Sequence, residues 1–454
     1  MVRLKSTPSL MAFRVNTFIK KVKFFLTPFR PIAKKFYNYI FLRPLSDMLA
    51  QCSSIENILD YIESRGRLAN SMPLDQFYLD LFRYTLEREQ HLPKLDSVEG
   101  KPNYIFYLSV WGPKYTEKML NYLIPSLLSP NNIPSFAEQY NILFWVQLDQ
   151  EAYDLVQHSP AIKALEKYVT FRFDIIPQRL FDKIHKIEKG LIIKFFLFAT
   201  HGRPVWKYNL LGCLDSLAMQ TAQKNKALIS FIMPDFLFAD GALSNLLKEV
   251  SAKKYAGFAT TFRTAFPKIK FQLDNHRNDS VLDISGETLT DLMVKYMHKS
   301  AQSRIVSSYN QYFNLTPQLI FSYEHELILR SVHYHPLLVN FSVINRTIKT
   351  NYFAIDYLFL STLLNNKTSI SEQIWVNQDS SYVGVLELSE DDVESVKPCS
   401  YTDIHNIVRE YVASPSWTKA NLYLLANRYK FKLTSRNENI LSDVGDEELI
   451  PTDC

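Results

Sequence analysis

Between residues 104 and 262 the chain alternates short apolar runs with stretches of helical periodicity. The apolar runs are residues 104–110, 141–148, 168–176, 227–233 and 255–262. Buried strands joined by helices form a mostly parallel sheet with helices on both faces. The alternation therefore predicts an α/β fold. Helical patterns before residue 100 and after residue 400 predict helical extensions at both ends.

Residues 227–250, ALISFIMPDFLFADGALSNLLKEV, show this pattern most clearly. The fourth apolar run ends at Pro234-Asp235, and a second short run leads to Asp240-Gly241 and a helical pattern. A strand followed by an acid and a helix places a carboxylate at the carboxyl edge of a sheet, where open α/β sheets bind ligands. The alternative interpretation is a buried strand with an ordinary turn aspartate.

Composition excludes several classes of protein. Of 454 residues, 47% are hydrophobic and 21% are charged, which is typical of globular chains. Only 11 are glycine, and neither GxGxxG nor GxxxxGK[ST] occurs, which argues against dinucleotide-fold enzymes and P-loop NTPases. The sequence also lacks GxSxG, HExxH and an EF-hand loop. The four cysteines are far apart and predict neither a disulfide framework nor structural zinc.

Charge is distributed unevenly along the chain. Residues 1–44 hold ten Lys or Arg and no acid, so removing this +10 from the formal +5 leaves −5 for the remainder. The acidic remainder disfavours nucleic-acid binding. Basic residues mixed with bulky aromatics suit a segment on an anionic membrane surface. The alternatives are a basic arm packed on the protein's own body and a disordered tail.

These patterns predict four segments and a location. Residues 1–44 form a basic aromatic arm, 45–100 a helical segment, 101–390 the α/β domain, and 391–454 a helical C-terminal segment with an acidic tail. The sequence has no run of 18 apolar residues, and lysines interrupt its early apolar stretch. The expected location is therefore cytoplasmic, with membrane-peripheral attachment through residues 1–44.

Acids and histidines at the ends of the predicted strands are the candidates for chemistry. Asp235 follows the fourth strand, His333 and His335 lie in HYHP, and Asp356 lies in NYFAID. Such residues can converge at one edge of a sheet and form a hard oxygen and nitrogen metal site.

On these residues and their order in the sequence, the chain resembles the GT-A class of nucleotide-sugar glycosyltransferases. In that class a strand ends in a DxD-like motif whose last acid holds Mn²⁺ or Mg²⁺ at the donor's diphosphate. Here ISFIMPDFLF aligns Asp235 with the last acid and puts Met233 in place of the first. This departure implies single-acid coordination, a compensating ligand, or no catalysis.

Further segments carry the resemblance over residues 103–390. They are SVWGPKYTEKMLNYLIPSLLSPNNIP, KYNLLGCLDSLAMQTAQ, MPDFLFADGAL, HYHPLLV and FAID, which are similar to a bacterial set in the class and stand in its order. The resemblance implies a metal-dependent hexosyltransferase that uses a UDP-sugar as its leading donor. The acceptor, protein or glycan, is not implied.

The resemblance also implies site roles, each with a structural alternative. Asp235 and His335 would bind the metal, or instead cap a turn and bond to backbone. Trp111 would stack on the donor base, or fill the core. Arg263 and Lys207 would contact the diphosphate, with a surface ion pair as the alternative for Arg263.

Two further acids complete the candidate catalytic set. Asp240 binds donor sugar hydroxyls or caps the following helix, and the cap is favoured. Asp356 is the candidate base for acceptor activation in an inverting enzyme, or a helix N-cap.

Other functions remain open at this point. The second hypothesis is a non-catalytic, membrane-associated interaction protein on a degenerate transferase fold, and a third is a helix-rich peripheral scaffold. By composition, the basic arm and the acidic C-terminus resemble the ends of bacterial effectors delivered into host cells by a type IV system.

Overall fold

The structure is a computed structural model. It describes residues 73–95, 98, 100–189, 205–250, 254–315, 317–332, 334–347, 355–365, 368–390, 403–415 and 417–450. The predictions made for residues 1–44, and those for 45–72, lie outside the described residues. None of the described helices is both long enough and apolar enough to span a bilayer.

Up to residue 262, strands and helices alternate as the sequence predicts. The helices are α1 Pro73–Gln90, α2 Pro113–Lys118, α3 Ile124–Leu127, α4 Ile133–Phe136, α5 Gln150–Val156, α6 Pro160–Leu165, α7 Gln178–Lys189, α8 Val205–Lys224, α9 Ala242–Val250, α10 Phe266–Asp274, α11 Gly286–Lys295, α12 Lys299–Gln302, α13 Ile355–Leu363, α14 Ile370–Gln373, α15 Ile404–Val412, α16 Lys419–Ala426 and α17 Asp446–Leu449. A π-helical turn, Met119–Leu123, joins α2 to α3, and a 3-10 turn, Ala137–Gln139, follows α4.

The strands include all five that were expected before residue 262. They are β1 Asn103–Val110, β2 Asn141–Leu148, β3 Thr170–Ile175, β4 Leu228–Phe231, β5 Phe236–Phe238, β6 Ala256–Ala259, β7 Arg263–Ala265, β8 Arg277–Asn278, β9 Val281–Leu282, β10 Gln318–Ser322, β11 Glu326–Ser331, β12 His335–Asn340, β13 Ile374–Val376, β14 Val385–Ser389 and β15 Tyr429–Lys432.

The described residues form two compact units. The first contains α1, α7 and the start of α8 as far as Asn209. Lys183 of α7 pairs with Asp80 of α1, and the Tyr78 hydroxyl donates a hydrogen bond to the Asn209 side chain over 3.0 Å. The second unit contains residues 91–177 and everything described after Leu210.

Seven described strands of the second unit form one sheet in the order β13-β6-β12-β4-β1-β2-β3. β12 runs antiparallel to β4 and β6, and the other pairs are parallel. The expectation of a mostly parallel α/β sheet is therefore confirmed.

Alternating side chains divide this sheet between two cores. Tyr104 and Phe106 face a core that includes Met119, Leu123 and Leu246. The intervening side chains of β1, Ile105 and Tyr107, face the opposite core with Leu217 of α8 and Phe359 of α13. Strands that are apolar on both sides need helices on both faces, and the structure has them.

The described residues after 390, which are 403–415 and 417–450, pack with strands β10 and β11 of the second unit. β15 pairs with β11 and completes the three-stranded sheet β10-β11-β15. α15, α16 and α17 bury apolar side chains against β10 and β11. Ion pairs attach α17 to the rest of the second unit, because Asp446 pairs with Arg330 at 2.7 Å and with Arg428 at 3.1 Å. The sequence does not reveal these partners.

Candidate functional site

The carboxyl ends of β1 and β4 mark the point where the sheet's strand order reverses. β1 pairs with β2 on one side and with β4 on the other. Open α/β sheets bind ligands in the crevice outside such a switch point. Trp111 directly follows β1 and is half-buried, and Asp235 follows β4 and immediately precedes β5. The structure therefore places two of the predicted site residues after the two strands at this point.

A small sheet, β5-β14-β7, brings a second acid to Asp235. Glu387 lies in the middle strand, opposite Phe236 of β5 and opposite Arg263 of β7. The Leu388 N–H donates a hydrogen bond to the Asp235 carbonyl over 2.8 Å, which fixes the two segments side by side. Glu387 was not among the residues predicted from the sequence. Its only signal is a charge inside the otherwise apolar run VLEL.

The Asp235 carboxyl group is electrostatically strained. Burial, and then the Glu387 carboxylate, raise its pKa from 3.8 to about 7. Lys118 and Arg263 act in the opposite direction but do not cancel these effects. Two acids this close disfavour each other's charged form unless a cation lies with them.

Two basic side chains surround the acid pair. Arg263 Nε donates to Glu387 Oε1 over 2.9 Å, and Glu387 is the main cause of the raised pKa of Arg263. Lys118, at the end of α2, is buried and donates to the Leu388 carbonyl over 2.9 Å. It also pairs with Glu390 at 2.9 Å. Lys118 was missed in the sequence, where it reads as one of several charges on an amphipathic helix.

His335 lies at the start of β12 beside this group. Its Nε2 lies 2.7 Å from the Phe231 carbonyl at the end of β4, and its ring packs edge-on against Phe236. A carbonyl only accepts hydrogen bonds, so Nε2 carries the proton and the neutral ring has its lone pair on Nδ1. Metal binding by His335 would therefore have to use Nδ1.

A cavity of about 250 Å³ opens beside these residues. Its lining includes Met233, Arg263, Arg304, Gln318, His335 and Glu387. Arg304 and Gln318 come from a chain region in which the sequence suggested no site residue.

The other predicted site residues lie elsewhere or beyond the described side chains. The Asp240 carboxylate accepts hydrogen bonds from the backbone N–H of Asn131 at 2.8 Å and from its side chain at 2.6 Å. Asp240 lines a different cavity. At the start of α9, where Asp240 was expected to cap the helix, the Asn132 side chain accepts the Leu243 N–H over 3.0 Å.

Asp356 is the second residue of α13, with a side chain outside those described, and His333 lies outside the described residues. Lys207 lies in the first turn of α8, within the first unit.

The donor set suits a hard divalent cation. Among the described residues, no group of three or more His, Cys, Asp or Glu lies close enough to hold a metal. Mg²⁺ is usually held by one or two carboxylates, with substrate phosphates and water supplying the other oxygens. Asp235 and Glu387 provide two such carboxylates, and their mutual repulsion is what a cation would relieve.

Comparison with known proteins gives no family assignment. No family model matches the chain, and no curated protein sequence matches it.

Proposed function

We propose that the chain is a GT-A-like glycosyltransferase that uses a nucleoside-diphosphate sugar, with a UDP-sugar as the first candidate. The observation that carries this proposal is the pair Asp235 and Glu387 beside the switch point of a mostly parallel sheet. An acid pair flanked by Arg263 and Lys118 suits a cation and the diphosphate that it bridges.

Glu387 is proposed as the compensating ligand for the missing first acid of the DxD-like motif. Met233 occupies that position and is 36% exposed, lining the cavity without a charge. Glu387 supplies a carboxylate to the same place from a strand that is 152 positions after Asp235 in the sequence. The Mn²⁺ or Mg²⁺ would neutralise charge that develops on the departing nucleoside diphosphate.

The basic residues complete the electrostatics. Arg263 is 40% exposed and can contact a phosphate oxygen while it keeps its partner Glu387. Lys118 is too buried to reach solvent and instead fixes the end of β14, which carries Glu387. Arg263 is therefore a candidate binding residue, and Lys118 is a positioning residue.

The nucleoside base is assigned to the crevice at Trp111. Gly112, the next residue, has φ of 75°, a left-handed conformation that glycine adopts without strain. Its N–H donates to Asp149 Oδ2 over 3.0 Å, and Asp149 also caps α5 by accepting the Ala152 N–H over 2.9 Å. These bonds fix the turn that carries Trp111 at the end of β1.

The remaining roles stay predictions. Asp356 is the proposed acceptor-activating base, and Asp240 is the proposed contact to donor hydroxyls, although its carboxylate already binds Asn131. The metal role of His335 stays a prediction from the resemblance, because Asp235, Glu387 and His335 do not form a group close enough to hold a metal. Lys207 stays a predicted diphosphate contact. Membrane attachment through residues 1–44 and delivery into a host cell also remain proposals.

A non-catalytic interaction protein on this fold is the second candidate. Met233 in place of an acid is the observation that favours it. In that case the acid pair would be a remnant, and nucleotide binding would not require a divalent cation.

Calorimetric titration of UDP in the presence of Mn²⁺ separates the two candidates. Asp235→Asn and Glu387→Gln remove one ligand charge each with little change in shape. Each should weaken metal-dependent UDP binding by at least about tenfold. Glu438→Gln is the matched control, because Glu438 is an exposed acid in the same unit.

Metal-independent UDP binding that both site variants retain would support the interaction protein. Loss of binding in Asp235→Asn alone would leave Asp235 as the single acid ligand and remove Glu387 from the proposal.

A further inference from the structure

Arg304 is a half-buried positive charge whose Nε is fully buried. It follows α12 and lines the cavity beside Arg263. Its Nη1 donates to Gln318 Oε1, whereas its Nε is buried and has no hydrogen-bond partner. No carboxylate among the described residues forms an ion pair with it. Burial lowers the pKa of Arg304 to about 10, so the side chain still carries its charge at neutral pH.

Gln318 holds this guanidinium in place. Its side-chain nitrogen donates to the Thr261 carbonyl over 2.9 Å and to the Thr260 hydroxyl over 3.1 Å. Its oxygen is therefore oriented towards Arg304 and accepts from Nη1. A buried polar group with an unmade hydrogen bond costs free energy, and Arg304 also lines the cavity, where a ligand can contact its guanidinium group.

The cavity reaches from Glu387 and Arg263 towards the ends of β6 and β12, on the side of β4 away from β1 and Trp111. Thr260 and Thr261 follow β6, and His335 begins β12. In the sheet order, β12 and β6 are one and two strands beyond β4, on the side away from β1. Part of the cavity lining therefore lies one to two strand spacings, of roughly 4.8 Å each, beyond β4. A donor with its base at Trp111 and its diphosphate at Asp235 would therefore present its sugar towards this cavity.

The charge of the cavity indicates what enters it. Two guanidinium groups, Arg263 and Arg304, line it together with one acid, Glu387. Glu387 is already ion-paired with Arg263, and its attraction to Arg304 is smaller than the effect of burial on the Arg304 pKa. A planar guanidinium fork matches the oxygens of phosphate and carboxylate groups. A neutral sugar hydroxyl would not compensate the cost of burying this charge.

We propose that the acceptor is anionic and that its phosphate or carboxylate group binds Arg304 in this cavity. Naming the ligand an acceptor rests on the proposed function, whereas the oxyanion site rests on Arg304 and Gln318 alone.

The test uses the full chain in EDTA and titrates inorganic phosphate and, separately, glucuronate, with chloride at matched ionic strength as the reference. Wild type should bind at least one of the two anions. Arg304→Gln should weaken that binding by about tenfold or more, as expected for a charge-assisted hydrogen bond. Arg436→Gln, at a guanidinium that is 71% exposed, is the matched control and should bind as wild type does.

UDP with Mn²⁺ is titrated against the same proteins. Arg304→Gln should change UDP affinity by less than about threefold, and saturating UDP with Mn²⁺ should not displace the anion. Arg304→Lys keeps the charge without the fork and should show intermediate anion affinity. If Arg304→Gln does not fold, the anion affinity of Arg304→Lys compared with that of wild type tests the proposal.

Absence of phosphate and glucuronate binding to wild type would overturn the inference, as would equal binding by Arg304→Gln. Loss of UDP binding in Arg304→Gln, or displacement of the anion by UDP, would also overturn it by assigning Arg304 to the donor. Arg304-dependent anion binding without any UDP binding would support the anion site and remove the proposed function.

Discussion

At the scale of the residue, Asp235 combines two signs of a functional group. It follows a buried strand at the switch point, and its carboxyl group is held in surroundings that oppose its charge. Folded proteins tolerate such opposition where function requires it, and perturbed pKa values cluster at functional sites. The free energy needed to keep the charged Asp235 carboxylate in these surroundings should therefore be measurable as a loss of folding stability.

Asp235→Asn should stabilise the metal-free protein at neutral pH. The folded pKa of about 7 exceeds the unfolded value of 3.8, so the folded state binds more protons between these values and its stability falls as pH rises through them. Because asparagine does not titrate, the Asp235→Asn protein does not lose stability in this way as pH rises. Thermal unfolding in EDTA should show a Tm a few degrees above wild type at pH 8, shrinking towards no difference near pH 4.

Glu438→Gln controls for the loss of an acid at the surface and should show no such pH-dependent gain. An Asp235→Asn protein that is less stable than wild type at pH 8 would mean that the carboxylate is a structural partner.

The sequence pointed to Asp235 as a candidate but not to Glu387 or Arg304, for one physical reason. Asp235 is marked by its neighbours in the chain, because an apolar run precedes it and a helix pattern follows soon after it. Glu387 reaches the site through the pairing of β14 with β5, and Arg304 through Gln318 of β10. Such long-range pairings have no local signal.

At the scale of the element, strands and helices were predictable because periodicity reports which faces are buried. β2 matches its expected bounds, residues 141–148. The antiparallel direction of β12 was not predictable, because a short buried strand has the same pattern in either direction. That direction matters for the site, since it places the first residue of β12, His335, beside the end of β4.

Gly257 in β6 tests how closely α9 packs on the sheet behind the site. A Cβ at this position would lie 2.6 Å from Leu246 Cδ1 and 2.7 Å from Val250 Cγ2. Gly257→Ala should therefore cost about 1–3 kcal/mol in the free energy of unfolding, because the core has no room for a methyl group. Urea unfolding measures the loss.

The double variant Gly257→Ala with Leu246→Ala should lose less than the sum of the two single changes, because the second change removes one of the two clashing side chains. Strict additivity would show that α9 shifts freely and that the close contact has no energetic weight.

At the scale of the whole molecule, the C-terminal residues belong to the unit that carries the site. Arg330 of β11 is fully buried, and its Nε donates to Asp446 Oδ2 over 2.8 Å. The same arginine donates to the Ala426 carbonyl at the end of α16. One buried guanidinium therefore joins β11, α16 and α17.

Asp446→Asn should destabilise the second unit by about 3–5 kcal/mol, because it leaves the buried Arg330 charge without its counterion. The adjacent Glu447 pairs with Arg428 but is 60% exposed, so Glu447→Gln should cost no more than about 1 kcal/mol. Urea unfolding of both variants gives the comparison. Equally small losses of unfolding free energy in the two variants would show that residues 446–450 pack against the unit without stabilisation by the buried ion pair.

The most direct test of the central proposal is a panel of UDP-sugars incubated with the full chain, with Mn²⁺ or with EDTA, for wild type, Asp235→Ala and Glu387→Gln. The proposal predicts slow hydrolysis of at least one donor by wild type with Mn²⁺, its loss in EDTA, and a fall of about tenfold or more in each variant. No hydrolysis of any donor, together with no thermal shift from any UDP-sugar with Mn²⁺, would contradict a transferase and leave a binding protein on this fold.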